Sequence, residues 1–112
     1  MSYLDELQGI AESDVKSLLE SEKSYKDSWK KRGGVGAFMM LARKWDRIEN
    51  AMTSEHAITI EDNEVWRPYL QQYDIFARTE EDNRPEGIID DIQDLRRYLM
   101  LVEAEMISRK KN

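Results

Sequence analysis

Hydrophobic side chains recur at helical rather than strand spacing along almost all of this 112-residue chain. Near the N-terminus, Leu4, Leu7, Ala11, Val15 and Leu18 are three or four residues apart, the period of an amphipathic helix. Ser2 followed by Asp5 has the form of a helix start, while Gly9 and the Ser13-Asp14 pair mark a place where that helix can break. The helical pattern stops around Lys30-Lys31-Arg32-Gly33-Gly34-Val35-Gly36. It resumes in Phe38, Leu41, Trp45, Ile48 and Met52, the clearest helical face in the chain. Residues 53–64 are polar and mixed and read as a loop. Val65, Trp66, Tyr69, Leu70, Tyr73 and Phe76 then fit a short helix with Pro68 in its first turn. Residues 78–85 read as a charged surface loop. Finally, Ile88, Ile92, Leu95, Leu99, Val102 and Met106 alternate steps of four and three, a coiled-coil-like seam, and Arg109, Lys110 and Lys111 suit a helix C-terminus.

This pattern predicts an all-α protein, a small bundle of three to four helices at about 3–30, 37–52, 65–78 and 86–109, in one domain over 1–112. Met39, Met40, Ile89, Met100 and Leu101 exceed one narrow apolar stripe, and their burial against a partner subunit predicts a homo-oligomer. The absence of cysteine excludes disulfides and thiolate metal sites and favours a reducing compartment. No apolar run approaches the roughly 18 residues of a membrane span, and the acidic start is unlike a signal peptide. The expected location is the cytoplasm, that of the host cell if the chain is phage-encoded.

Charge changes the picture more than size does. Residues 23–47 carry eight basic groups against Asp27 and Asp46, while residues 48–94 carry thirteen acidic groups against Arg67, Arg78 and Arg84. With a net charge of −6, the chain as a whole repels a phosphate backbone, so extended nucleic acid is not an expected partner. The basic segment is either a local anion site or the electrostatic counterpart of the acidic one.

Two constellations could carry chemistry. The first combines Tyr25 and Trp29 with Lys30, Arg32, Gly33 and Gly34, followed on the next helix by Arg43, Lys44 and Arg47. A glycine turn leading into a helix offers unpaired N–H groups and the positive end of the helix dipole to a phosphate, while the aromatic rings offer stacking for a base. It is not a P-loop, because no Lys-Ser/Thr follows the last glycine. Its plain alternative is a helix cap with solvated lysines. The second constellation pairs Asp91 with Asp94 at helical spacing and Asp46 with Glu49 on the preceding helix; converging, these four carboxylates could hold Mg2+. Interhelical salt bridges are the alternative there. His56 has no catalytic partner in sequence, and no nucleophile–histidine set can be assembled. Trp45, Trp66, Tyr73 and Phe76 read as packing residues.

Tyr25-Lys26-Asp27-Ser28-Trp29 with Gly33-Gly34, the helix Leu41 to Arg47, and Asp90-Asp91-Ile92-Gln93-Asp94-Leu95-Arg96-Arg97-Tyr98 together resemble a small phage family, the nucleotide-modification-associated helical domain. That family shows Tyr-Gly-Asn/Asp-Ser, then a Lys-x-x-Arg helix, then Asp-x-x-x-Asp-Leu-x-x-Tyr, and the match spans most of residues 23–105. Lys26 stands where the family tends to have glycine, which bears on the turn after Tyr25. The resemblance implies a phage origin and nucleotides as the ligand class. More distantly, the chain resembles all-helical nucleoside triphosphate pyrophosphohydrolases, whose magnesium is held by Glu-x-x-Glu and Glu-x-x-Asp pairs. Asp91-x-x-Asp94 could stand for the second pair, but the first helix has no Glu-x-x-Glu.

Three readings follow. The first is a phage-type nucleotide-binding protein that sequesters a nucleotide or nucleotide-derived defence signal, an anti-defence role that needs affinity and no catalytic base. The second is a magnesium-dependent nucleoside phosphate (pyro)phosphohydrolase using Asp91 and Asp94. The third is a helical module that binds a host protein and has no ligand.

Overall fold

The computed structural model describes residues 2–53 and 73–111. Among them the fold is all-α: helices α1 (Leu7–Tyr25), α2 (Gly33–Thr53), α3 (Ile75–Glu81) and α4 (Ile88–Lys111), with short 3-10 turns at Tyr3–Glu6 and Ser28–Lys30. Contacts divide the chain into two compact units, Met1–Met40 with Arg97–Asn112, and Leu41–Arg96.

The expected helix over 3–30 is three elements. Ser2 Oγ accepts the Leu4 N–H at 2.9 Å and the Ser2 N–H donates to Asp5 Oδ2 at 3.2 Å, so the predicted start signal opens a 3-10 turn. The α-helix runs unbroken through Gly9 and Ser13-Asp14 and ends at Tyr25, because Lys26 (φ 44°) and Asp27 (φ 63°) are left-handed. Glu22 closes this end: its carbonyl accepts the Lys26 N–H at 3.1 Å, and its carboxylate accepts the Asp27 N–H at 2.7 Å.

α2 begins four residues before the expected start, so the glycines belong to its first turn rather than to a separate loop. Gly33 turns the chain with φ 73°. The reason for Gly36 is different: a Cβ there would stand 2.8 Å from Arg32 Cβ. The backbone at Gly36 is approached closely by the chain's own Arg32.

Asp74 caps α3, its Oδ1 accepting the N–H groups of Phe76 and Ala77 at 3.1 Å each. This helix continues through Arg78–Glu81, a stretch expected to be loop, with Thr79 Oγ1 bonded to the Ile75 carbonyl. Of the expected loop over 53–64 only Thr53 is described, as the last residue of α2; the rest, with His56, and most of the expected helix over 65–78, with Trp66, lie outside the described residues.

At α4 the Gly87 carbonyl accepts the Asp91 N–H, and Asp90 Oδ2 accepts the Gly87 N–H in return. Asp82 reaches over to accept the Ile88 N–H at 2.7 Å, and Gly87 makes room for it, since a Cβ at Gly87 would sit 2.7 Å from that carboxylate.

The buried faces differ from the apolar seams read in the sequence. On α2 the inward positions are Ala37, Leu41, Lys44, Ile48 and Met52. Phe38 and Trp45, expected in the core, are 68% and 53% exposed, as small Ala37 and ion-paired Lys44 turn inward instead. Tyr73 and Phe76 are also exposed rather than packed. On α4 the inward set is Ile88, Asp91, Leu95, Tyr98, Val102 and Glu105, so Ile92, Leu99 and Met106 are left on the exposed flank. In each helix a polar side chain with an ionic partner takes the place of an apolar one.

Candidate functional site

In the unit formed by Met1–Met40 and Arg97–Asn112, the junction between α1 and α2 gathers most of the first constellation. Tyr25 is exposed at the end of α1, and Trp29 is half-buried in the 3-10 turn. Lys30 Nζ donates to Glu105 Oε1 at 2.7 Å and lies 3.8 Å from Asp27. The hydrogen bond that Lys30 donates to Glu105 is the main reason that the Lys30 ammonium is held above its ordinary pKa, and the same bond, with Arg109, holds Glu105 below its own. Lys30 therefore ties the turn to α4. Lys31 and Arg32 are exposed, and Gly33 and Gly34 both face open space. No acidic residue occupies the first turn of α2, so its positive dipole end is not offset by a carboxylate of that turn.

Deeper in the same unit, Asp14 is 1% exposed and accepts from Arg97 Nε at 2.9 Å, with Ser13 Oγ 3.3 Å from Arg97 Nη2. Sequence reasoning treated Asp14 only as a helix restart. A signal existed: positions 7, 11, 14 and 18 share one helix face, and a carboxylate on an otherwise apolar face demands a cation.

In the unit Leu41–Arg96, the remaining basic residues meet the acidic ones. Arg43 is exposed, whereas Lys44 Nζ lies 3.5 Å from Asp94 and Arg47 lies 3.7 Å from Glu86. Arg47 Nε also stands 3.2 Å from Asp91 Oδ1, an ionic contact without hydrogen-bond alignment. Asp91, 1% exposed, is approached on its other oxygen by Arg84 Nη2 at 3.4 Å. Arg84 in turn forks onto both oxygens of Asp82, at 2.9 and 3.0 Å. Those hydrogen bonds hold the Asp82 carboxyl far below the usual carboxylate range, assisted by the Ile88 N–H, and they raise the Arg84 guanidinium. In sequence Asp82 and Arg84 read only as part of a charged loop, because nothing local shows that such a loop folds back onto a helix start.

The second constellation is thus divided. Asp91 and Asp94 face cations from α2 and the α3–α4 loop, and Asp46 and Glu49 are exposed on α2. Among the described residues no group of three or more His, Asp or Glu is placed to hold a metal ion. Of the basic residues assigned to a phosphate, Lys30, Lys44 and Arg47 are in ion pairs, while Arg32, Gly33 and Gly34 lie together at the start of α2. No described helix is long and apolar enough to cross a membrane. Compared with protein-family models, curated proteins and solved structures, the chain matches none.

Proposed function

We propose that this chain binds a nucleotide or nucleotide-derived small molecule at the α1–α2 junction and holds it without chemical change. The observation that carries this reading is the arrangement of Lys31-Arg32-Gly33-Gly34. Two exposed cations precede two glycines that face open space, at the dipole-positive end of a 21-residue helix. Tyr25, exposed at the end of α1, supplies a ring for a base. Sequestration needs affinity only, which exposed cations beside open glycines can supply. The phage-family resemblance supports the same ligand class, and sequestration of a nucleotide-derived defence signal is the role we propose for it.

The magnesium-dependent phosphohydrolase is less well supported. It requires Asp91 to exchange Arg47 and Arg84, and Asp94 to exchange Lys44, for a metal and its waters. The host-protein module is supported by Val35, Phe38 and Met39, which are 77%, 68% and 53% exposed on α2.

The test is calorimetric titration with mononucleotides and with cyclic and linear dinucleotides, with and without magnesium, followed by chemical analysis of the recovered ligand. Binding that survives chelation and returns the ligand intact is expected. Magnesium-dependent turnover would move the function to Asp91 and Asp94, and silence towards every nucleotide would favour the protein partner.

A further inference from the structure

A flank of α4 beside its buried face carries Ile89, Ile92, Leu99 and Met106, 67%, 38%, 48% and 60% exposed. With Arg96 and Glu103 between them, they repeat at steps of three and four along one continuous helix, a stripe about 25 Å long. Apolar side chains aligned in this way are characteristic of a covered face rather than of scattered surface residues.

We infer that this stripe is the contact by which a second copy of the chain docks, with the two α4 helices antiparallel about a two-fold axis near Leu99. Charge selects both the occupant and the direction. Within the stripe the two charged positions, Arg96 and Glu103, stand on either side of Leu99 and have opposite sign. Antiparallel pairing sets each beside the partner's opposite charge and opposes the two helix dipoles favourably. Parallel pairing would set like charge beside like charge at both positions. The centre is self-complementary as well. A two-fold near Leu99 sets Ile92 against the partner's Met106 and the partner's Ile107, and Arg96, which also has an interaction in its own chain, against the partner's Glu103. An interface in which one patch meets itself is what a closed two-fold dimer requires.

The chain has no cysteine, so single introduced thiols report the geometry directly. Leu99→Cys should oxidise to a covalent dimer with itself. Ile92→Cys and Met106→Cys should each fail alone, because the two copies of either residue would lie about 21 Å apart along the helices, yet they should cross-link when mixed. By sedimentation, the unmodified chain should have an even multiple of its 13.3 kDa mass, and Leu99→Glu should lower that multiple while the helical circular dichroism stays unchanged. A monomeric wild type overturns the inference, as does self-cross-linking of Ile92→Cys with none in the mixture.

Discussion

Arg97 Nε donates to Asp14 Oδ1 at 2.9 Å, joining α1 to α4 across 83 residues of sequence. Asp14 is 1% exposed, so the guanidinium offsets the cost of taking its charge out of water. Arg97→Ala should destabilise the chain by about 3 kcal/mol in urea denaturation. Replacing both partners with leucine should recover most of that loss, because a buried ion pair is often matched by well-packed apolar residues. Equal losses in the single and double variants would show that the pair does more than satisfy Asp14.

Stability should also depend on acid through Asp82, whose carboxyl is held far below its ordinary range chiefly by Arg84. A depressed carboxylate contributes its stability above the unfolded pKa, about 3.9, and loses it as the pH falls toward the folded value. Below roughly pH 4 the thermal midpoint of the wild type should therefore fall more steeply than that of Asp82→Asn. Glu105 acts in the same sense but is unchanged in the variant, so the difference between the two curves isolates Asp82.

The glycines of α2 should respond in opposite ways. Gly34 faces open space, and Gly34→Ala should stabilise by up to about 1 kcal/mol through helix propensity. At Gly36 an added Cβ meets Arg32 Cβ at 2.8 Å, close to the backbone where little can yield, and Gly36→Ala should be destabilising despite the same propensity gain. Thermal midpoints of the two variants measure this directly.

Lys26 closes α1 with φ 44° and ψ 64°, a conformation that costs most L-residues about 1 kcal/mol and glycine nothing. Lys26→Gly should raise stability by up to about that amount, less the entropy that glycine adds to the unfolded chain. A fall in the thermal midpoint would mean that the lysine side chain contributes contacts that outweigh the strain.

Helix type and rough position were legible because the chain's apolar residues keep a helical period, and the Ser2 start signal acts locally as expected. Which face turned inward was not. Phe38, Trp45, Ile92, Leu99 and Met106 fit an apolar seam, but the inward register also holds Asp14, Lys44, Asp91 and Glu105, whose charges are balanced by residues distant in sequence. Hydrophobic period ranks such positions as surface, and only their three-dimensional partners reverse the ranking. The attraction between basic and acidic segments was foreseen as one of two alternatives, and Lys44–Asp94 and Arg47–Asp91 realise it. The glycine cluster reads as a turn before the helix because glycine disfavours helix interiors, yet Gly33 to Gly36 form the first turn of α2 itself.

The most direct test of the proposed ligand site is a nitrogen-15 NMR titration with the tightest-binding nucleotide from the calorimetric panel, comparing wild type with Lys31→Ala/Arg32→Ala. The alanines keep the Arg32 Cβ that packs at Gly36, so the fold should be retained. The expected result is that the amides of Gly33, Gly34 and Gly36 shift first in the wild type and that the double variant shows no such shifts. Shifts centred on Asp91 and Asp94, or unchanged affinity in the double variant, would contradict a ligand site at the start of α2.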